Sequence, residues 1–472
     1  MKVLLINPSL IEVNVGHYQK ATEKQRGIYP SLGLGYIAAV LEKEKHQVAI
    51  VDYDAELQAW KRIENICHKW HPEVIGFYAM TWTFRQANVL AKKIKELLPQ
   101  AKFVVGGPNL TCLPYQSMQD SIFDFGVISE GENTIIELID ALNKKKEDFS
   151  QIKGLIYKKK RDIIINALRS LIEELDSLPF PARHLMPIKN YYDISARNKH
   201  FATLIATRGC PFECTFCDRK NRMGRRWRVR SPQNIIDEIK KIKSKYNIKE
   251  YMFFDDNFVV DQEWIKELCL KIIGQKLNII WECRARVDMI NRIILKNMKD
   301  AGCYRIRFGF ESGNNEILKI MKKGITVEQS LKCAEICKEI GVEIFGYFIL
   351  GAPGETEKTM NETIELALKI NPDFALFSKL ILIPGSEIFD WSIKNNYIKS
   401  DYWEKFLRGE ETNGAPTINT PKLPELIVDK YISLANKKFY LRPQYLWRRI
   451  TAIKNWQQFA NQLRMAKSLF IK

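Results

Sequence analysis

The 472-residue sequence predicts an α/β protein with a doubly wound parallel sheet, then an open (β/α)6 barrel, then a small helical C-terminal region. Three observations predict it. Apolar runs alternate with amphipathic stretches over residues 1–143, a proline-interrupted connector follows, and six further apolar runs separated by helical stretches begin at Phe201. The chain is too long for one ordinary core, so more than one domain is expected.

The first unit, residues 1–150, contains five candidate strands, at 3–7, 47–52, 74–80, 102–105 and 123–129. Helical stretches near 34–45, 57–70, 85–98 and 133–143 separate them. Ligands of doubly wound sheets bind at the carboxyl ends of the strands, so the loops there should face one site. Glycines in these loops let the backbone approach a large flat ligand or a phosphate, although glycines at strand ends often only make the turn.

Residues 151–195 read as a hairpin followed by a linker. Two short apolar runs between 152 and 166 flank the charged segment 158–162, which indicates a hairpin turn. Residues 175–183 contain Pro179 and Pro181 and cannot form regular structure. The linker between the two main units is therefore placed here.

The second unit, residues 196–395, contains candidate strands at 202–207, 250–254, 278–284, 304–310, 343–350 and 374–383. Ser231 and Pro232 open the first helix between them as cap and first-turn residue. Six repeats predict an open barrel whose active site lies at the carboxyl ends of the strands. Residues 396–472 are predicted to form a helical C-terminal region, whose aromatics cover the barrel or, alternatively, lie at a membrane interface.

Cys210, Cys214 and Cys217 follow the first barrel strand with the spacing C-x3-C-x2-C. Three thiolates hold three irons of a [4Fe-4S] cluster and leave the fourth iron open. The alternatives are buried thiols or a zinc site, but zinc favours four ligands and neither a second C-x2-C nor a histidine pair appears near Cys217. The other seven cysteines are predicted to be core or near-core residues.

Polar residues stand at the other barrel strand ends. Asp255 and Asp256 follow the second strand, where one of them alternatively caps the next helix. Arg286, after the third strand, either forks onto a ligand carboxylate or pairs with a neighbouring acid. Glu311 and Ser312 follow the fourth strand and suggest polar contacts to a ligand, and Gly351 follows the fifth.

The cysteine motif, with Phe216 before its last cysteine, resembles the signature of the radical SAM superfamily. The first-unit loops, with the segment from Pro30 to Leu34, resemble the cobalamin-binding domain fused to many such enzymes. The aromatic and basic run 439–449 resembles the group related to anaerobic magnesium-protoporphyrin IX monomethyl ester cyclase and hopanoid-pathway radical SAM proteins.

The resemblance implies the cofactors and their residues. It implies that the three cysteines carry a [4Fe-4S] cluster and that S-adenosylmethionine (SAM) contacts Phe216, Asp255, Asp256, Arg286, Glu311, Ser312 and Gly351. It implies cobalamin contacts from Pro8, Thr81, Gly106, Gly107, Pro108, Glu130 and Gly131. The Asp-x-His-x-x-Gly motif of histidine-ligated cobalamin domains is absent after the first strand, and His17 lacks its surroundings, so no histidine is expected on cobalt.

The implied function is reductive cleavage of SAM to a 5'-deoxyadenosyl radical, followed by cobalamin-dependent methylation of an unactivated carbon. Oxidative cyclisation or another carbon-skeleton rearrangement is the alternative within the family. A reading of another class is an iron-sulfur module that binds RNA. The implied partners are a small-molecule substrate of lipid or tetrapyrrole type and a reductant such as flavodoxin or ferredoxin.

The formal net charge of +18 favours anionic partners. Most lysines are scattered, as expected of solvated helix faces. The segment from Arg219 to Arg230 combines seven basic residues with Trp227. It is open to four interpretations: binding of RNA, of an anionic substrate, of SAM or of the cobalamin phosphate. No RNA-binding domain is recognisable, so no stable nucleic acid is expected. No apolar run of about 20 residues is present, so no transmembrane helix is expected. We expect a cytoplasmic protein, with peripheral membrane contact as a further option.

Overall fold

The first sheet is buried on both faces by helices, which explains the unbroken apolar character of its strands. The computed structural model describes residues 1–9, 27–218, 224–411, 416–420 and 423–451. The seven strands are β1 Lys2–Asn7, β2 Gln47–Asp52, β3 Val74–Tyr78, β4 Lys102–Gly106, β5 Phe125–Val127, β6 Leu155–Lys159 and β7 Asp162–Ile165. Their order is β2-β1-β3-β4-β5-β6-β7, with β1 to β5 parallel. The predicted doubly wound parallel sheet is confirmed.

Among the described residues, six helices accompany this sheet, in the connections between its parallel strands and after β5. They are α1 Leu32–Lys43, α2 Ala59–Trp70, α3 Phe84–Leu97, α4 Pro108–Cys112, α5 Pro114–Gln119 and α6 Glu132–Asn143. The amphipathic helix α3 buries Phe84, Ala87 and Leu90 from one face.

The predicted hairpin after residue 150 forms as β6 and β7, joined by a turn in which Lys160 has a φ of 57°. Strand β6 also pairs antiparallel with β5, through Gly126 and Ile156. The first sheet therefore extends beyond residue 150, because this hairpin continues its hydrogen-bonding edge.

The second sheet contains six parallel strands in sequential order, which is the predicted open barrel. Its strands and the adjoining two-stranded ribbon are β8 Ala202–Leu204, β9 Thr207–Arg208, β10 Arg228–Val229, β11 Glu250–Phe253, β12 Ile280–Ala285, β13 Cys303–Glu311, β14 Glu343–Leu350 and β15 Phe374–Lys379. Its helices are α7 Pro232–Tyr246, α8 Gln262–Gly274, α9 Arg292–Asp300, α10 Asn315–Ile320, α11 Val327–Ile340 and α12 Glu357–Ile370. Ser231 caps α7 as predicted, accepting a hydrogen bond from the backbone amide of Asn234.

Two barrel strands end three or more residues earlier than the sequence predicts. Strand β8 ends at Leu204, because Asp255 accepts the amides of Ala206 and Thr207 and the chain then pairs as β9 with β10. Strand β15 ends at Lys379, and the amide of Leu382 donates to the carbonyl of Pro416 in the C-terminal region.

The C-terminal region is helical and packs on both sheets. Its helices, counted from the end of β15, are α13 Glu387–Lys394, α14 Tyr402–Arg408, α15 Glu425–Tyr440 and α16 Pro443–Thr451. Phe439 and Tyr445 are buried against the barrel, and the Tyr440 hydroxyl donates to the carbonyl of Ala375 on β15. This is the predicted helical cover for the barrel. Among the described residues, none of the helices is both long and apolar enough to cross a membrane.

Candidate active site

The cysteine loop follows β9, at the carboxyl end of the barrel. Cys210, Cys214 and Cys217 are all half-buried and form no disulfide. The amide of Thr215 donates to the carbonyl of Met321 after α10 (2.9 Å), and the amide of Ile388 in α13 donates to the carbonyl of Thr215 (3.0 Å). Two separate elements therefore fix the loop by backbone hydrogen bonds.

Arg286 lies directly beside the cysteine loop. Its guanidinium is 3.6 Å from the centroid of the Phe212 ring and forms a two-bond pair with Asp288, at 3.0 and 2.9 Å. Its Nη1 is buried without a partner among the described residues. Of the two sequence readings, pairing with a neighbouring acid is what the structure contains, and one guanidinium nitrogen stays available.

Lys323 is a site residue that the sequence did not single out. Its Nζ lies 2.7 Å from Glu311 Oε1, with both side chains buried, and 5.9 Å from the Phe216 ring centroid. Glu311 has a φ of 61° where the pairing of β13 with β14 is irregular, and such conformations persist only when the surroundings hold them. Burial raises the pKa of the Cys214 thiol, and the cations of Lys323 and Arg286 oppose that rise.

Asp255 accepts hydrogen bonds from the backbone just before the cysteine loop. Its Oδ1 accepts the amides of Ala206 and Thr207, and Oδ2 is buried without a partner in the described part of the chain. Burial raises its pKa to about 6. Neither Asp255 nor Asp256 caps the next helix, because that position is Asp261.

Ser312 and Gly351 are held by the neighbouring chain. The Ser312 hydroxyl lies 3.3 Å from that of Thr363 on α12, and the amide of Asn314 donates to it. Gly351, with a φ of 91°, and Ala352 donate their amides to Glu355 Oε2, at 2.5 and 2.9 Å. Burial raises the pKa of Glu355 to about 7.

The loops of the first sheet gather at the carboxyl ends of its parallel strands, as predicted. Pro8 and Thr81 are buried there, and Gly106 and Gly107 lead into α4 at Pro108. Gly107 has a φ of 111°, and a Cβ there would lie 2.7 Å from the carbonyl oxygen of Ala79. This turn therefore requires glycine, because Ala79 fills the space that a side chain would take.

Glu130 lies in the predicted loop, but its carboxylate is engaged by the second unit. Its Oε1 accepts from Arg208 (2.9 Å) and from Arg228 (2.9 Å), and its Oε2 accepts from Arg228 (2.9 Å) and from the amide of Ile172 (2.7 Å). Arg208 also pairs with Glu132 at 2.6 Å. Burial raises and the two arginines lower the pKa of Glu130, which ends below its usual range. We call these four side chains, Glu130, Glu132, Arg208 and Arg228, the junction network.

The junction network brings the ligand edge of the first sheet to the cysteine loop, because Arg208 stands two residues before Cys210. A second contact does the same on another side. Trp82, after β3, packs on Trp403 and Phe406 of α14, and Phe216 of the cysteine loop packs against the same cluster. The two strand-end sites therefore open toward each other.

The basic stretch is not a free patch where it is described. Arg225 pairs with Glu213, Arg226 with Glu173, Arg228 with Glu130, and Arg230 with Glu238. Arg219, Lys220 and Arg222 lie outside the described residues, as does His17. The four described arginines of this stretch therefore form ion pairs within the protein.

The residues at the cysteine end fit a polar ligand beside a cluster. Buried atoms without a partner in the described ranges include Thr215 Oγ1, Asp255 Oδ2, Asn257 Oδ1, Arg286 Nη1 and Glu355 Oε1, which together offer acceptors and donors to a zwitterion and its hydroxyls. No three histidine, cysteine or acidic side chains in the described ranges converge on one ion. A cube does not need this, because each of its cysteines binds a different iron.

Comparison with known proteins agrees with this arrangement. Residues 204–367 match the radical SAM superfamily and residues 19–139 match the B12 binding domain. An uncharacterized methyltransferase of Pyrococcus horikoshii is 33% identical over 448 residues, 94% of each chain. The anaerobic magnesium-protoporphyrin IX monomethyl ester cyclase of Cereibacter sphaeroides is 25% identical over 433 residues, 88% of this chain and 69% of the relative.

A solved structure shares the fold over the whole chain. The radical SAM methyltransferase TsrM from Kitasatospora setae, with cobalamin and a [4Fe-4S] cluster bound, aligns with a TM-score of 0.75 at 15% identity and covers 99% of this chain and 98% of its own. With the two family matches and the relative that is 33% identical, the chain belongs to the radical SAM enzymes that carry a B12 binding domain.

Proposed function

We propose that this protein is a cobalamin-dependent radical SAM methyltransferase that methylates an unactivated carbon of a small molecule. The observation that carries the proposal is the opposition of two sites: the loops of the B12-type sheet are bonded, through the junction network, to the strand that leads into the cysteine loop. When bound, the cluster and SAM supply a 5'-deoxyadenosyl radical, and cobalamin supplies a methyl group.

The residues at the cysteine end fall into two groups, those that bind the cluster and those that bind SAM. Cys210, Cys214 and Cys217 ligate the cluster, with Lys323 and Arg286 supplying positive charge beside them. For SAM we propose contacts from Phe216, Asp255, Asp256, Arg286, Glu311, Ser312 and Gly351. The unpartnered Asp255 Oδ2 suits an ammonium and the unpartnered Arg286 Nη1 suits a carboxylate.

For cobalamin we propose contacts from the first-sheet loops, at Pro8, Thr81, Gly106, Gly107, Pro108 and Gly131. The position of these loops at the carboxyl ends of the parallel strands supports this part of the proposal. The carboxylate of Glu130 is already bonded to two arginines and an amide, so its contribution is to hold the loop in place.

Anaerobic reconstitution tests the proposal. The wild type should bind about four iron and four sulfide per chain and cleave SAM, because three cysteines hold a cube with an open iron. Cys214→Ala should lose both, whereas Cys333→Ala, at a buried position on α11, should keep both. Equal SAM cleavage by wild type and Cys214→Ala would contradict the proposal.

Radical cyclisation is the second candidate, because the cyclase relative aligns over 88% of this chain. The two differ in what becomes of SAM. A methyltransferase consumes a second SAM to replace the methyl group and releases S-adenosylhomocysteine beside 5'-deoxyadenosine, whereas a cyclase releases only 5'-deoxyadenosine. Quantifying both products, with cobalamin-loaded protein, separates them.

For the partners, the proposal includes a substrate of lipid or tetrapyrrole type and a reductant such as flavodoxin or ferredoxin. A peripheral membrane contact through α16 belongs to it as well, supported by the exposure of Leu446 and Trp447 beside Arg449. Flotation with vesicles of anionic lipid, compared between wild type and Trp447→Ser, tests that contact.

A further inference from the structure

The barrel lumen is lined by charged side chains from its central strands. Side chains of a strand alternate between the two faces of the sheet. On β12, Trp281, Cys283 and Ala285 belong to the core between sheet and helices, so Glu282 and Arg284 face the lumen. Arg305 and Arg307 on β13 share that face, since both bind Glu282.

The ion pairs deep in the lumen balance one another. Arg305 pairs with Glu282 (3.1 Å) and Glu343 (2.7 Å), and Arg307 pairs with Glu282 (2.7 Å) and Asp193 (3.0 Å). Arg197 pairs with Glu343 at 2.6 Å. Three arginines therefore meet three acids.

Glu250, a fourth acid at this depth, forms no ion pair among the described residues. It accepts hydrogen bonds from the amides of Arg197 and Asn198 and from the Tyr304 hydroxyl. Burial raises its pKa. It therefore does not supply the lumen with a carboxylate for another arginine.

At the cysteine end the number of cations also equals the number of acids, although Arg286 Nη1 has no partner among the described residues. Arg286 pairs with Asp288, and Lys323 pairs with Glu311. Between these two balanced layers stands Arg284, for which the described chain provides no carboxylate within 4 Å. Its guanidinium lies 4.6 Å from the centroid of the Phe254 ring, which holds it in the lumen.

Arg284 is thus a half-buried cation with a like charge as its neighbour. Its partner in the register with β13 is Arg307. A guanidinium stays charged at any accessible pH, and a charge partly removed from water is unfavourable until it is paired. Carboxylates and phosphates suit its planar fork, which binds them with two parallel hydrogen bonds.

We propose that Arg284 binds an anionic group, a carboxylate or a phosphate-like group, of the substrate. The proposal rests on the proposed function, since it gives that function a substrate class. Arg284 is the last but one residue of β12, and Arg286 follows the end of that strand, so Arg284 lies about 7 Å deeper in the barrel at 3.3 Å per residue. The anionic end of the substrate then points into the barrel, beside the Phe254 ring, and the reacting part points toward the cysteines.

The carboxylate of SAM has the same chemistry, so the experiment has an arm for each source. Cluster-containing holoenzyme is titrated with phenylphosphonate, an aromatic anion, and with benzyl alcohol, its neutral counterpart. SAM binding is measured separately by equilibrium dialysis. The variants are Arg284→Gln, Arg284→Lys and, as a control, Arg292→Gln, which changes an exposed arginine on α9.

The wild type should bind phenylphosphonate at least tenfold more tightly than benzyl alcohol. Arg284→Gln should lose that preference, Arg284→Lys should keep part of it, and Arg292→Gln should match the wild type. The dissociation constant of SAM should change less than twofold in all of them. Iron content shows that each variant has folded, and if Arg284→Gln fails this check, Arg284→Lys decides by its intermediate affinity.

Any of three results overturns the inference. One is a wild type that binds both probes equally, and another is a folded Arg284→Gln variant that keeps the wild-type preference for phenylphosphonate. The third is an Arg284 variant that binds SAM at least tenfold more weakly and phenylphosphonate as tightly as before, which would place the SAM carboxylate at Arg284. SAM cleavage by the wild type reports on the proposed function by itself, so a protein that cleaves no SAM but binds phenylphosphonate through Arg284 contradicts only that function.

Discussion

Lys322 and Lys323 are adjacent in sequence and lie in opposite environments. The Lys323 side chain is 9% exposed and pairs with the equally buried Glu311, whereas Lys322 is 51% exposed and pairs with Glu387 on the surface. The two pairs have similar N–O distances, but only the buried one has lost its water. A buried charge without its partner is costly, and a surface pair contributes little.

Lys323→Met should therefore lower the free energy of unfolding by about 3–5 kcal/mol, because it leaves Glu311 buried and unpaired. Lys322→Met should cost no more than about 1 kcal/mol. Urea unfolding of the two variants measures the difference. Equal costs would mean that Glu311 reaches water in solution.

Glu355 makes the stability of the barrel depend on pH. Its pKa rises from 4.5 in the unfolded chain to about 7 in the fold, through burial, so the folded state binds the proton more tightly. This contribution is fully present below pH 4.5 and is lost as the pH rises to about 7.

The variant Glu355→Gln should remove this loss, because its amide stays neutral while its oxygen still accepts from Gly351 and Ala352. Relative to the variant, the wild type should lose on the order of 3 kcal/mol of unfolding free energy between pH 4.5 and 8. Urea unfolding across that range tests it, with the exposed Glu365→Gln as a control that should follow the wild type. Parallel curves for Glu355→Gln and wild type would disprove the linkage.

At the scale of elements, the β9–β10 ribbon joins the two units. It has only two residues in each strand, Thr207–Arg208 and Arg228–Val229, yet it carries both arginines of the junction network. A ribbon this short is not stable by itself. Its position before the cysteines therefore depends on Glu130 and Glu132.

Glu130→Ala should destabilise the protein by about 3–5 kcal/mol, because it removes the buried carboxylate that Arg208 and Arg228 share. Glu173→Ala removes the partner of the exposed Arg226 and should cost about 1 kcal/mol or less. Thermal unfolding of both variants is the measurement. A Glu130 variant as stable as the Glu173 variant would show that the junction network does not stabilise the fold.

At the scale of the whole molecule, α14 binds the first unit to the second. Trp403 is buried, stacks edge-on with Trp82 and donates its indole N–H to the carbonyl of Leu382 (3.0 Å), while Leu407 belongs to the core of the first sheet. One short helix thus contributes to the cores of both units.

Trp403→Ala should lower the free energy of unfolding by about 3–5 kcal/mol, as expected for truncating a buried tryptophan. Trp391→Ala, on the surface of α13, should cost about 1 kcal/mol or less. Unfolding followed by circular dichroism compares the two. Separate transitions for the two units in Trp403→Ala alone would identify α14 as the source of their coupling.

The sequence predicts those elements of the fold that depend on residues close together in the chain. Both sheets, the hairpin and the cap at Ser231 follow from apolar periodicity and turn residues within a few positions. The ends of β8 and β15 were misplaced, because Asp255 and Pro416, which take over their hydrogen bonds, come from distant segments.

Charged residues were harder to assign for the same reason. Arg228 and Arg230 looked like part of a basic surface, since the sequence does not show that Glu130 and Glu238 fold against them. Lys323 gave no signal because a lysine after a helix is usually solvated. The sequence also does not show that Arg284 lacks a carboxylate partner, because acids in the barrel lumen pair with other arginines.

The dependence of the first unit on α14 has a consequence for synthesis on the ribosome. Trp82 and Leu113 pack in one cluster with Trp403, which follows them by about 300 residues in the sequence. At 5–20 residues per second, Trp403 is synthesised about 15–60 s after them. For that time the nascent first unit displays an aromatic surface that the finished protein covers. A ribosome-bound chain stopped before α14 should therefore be a better chaperone client than one stopped after it.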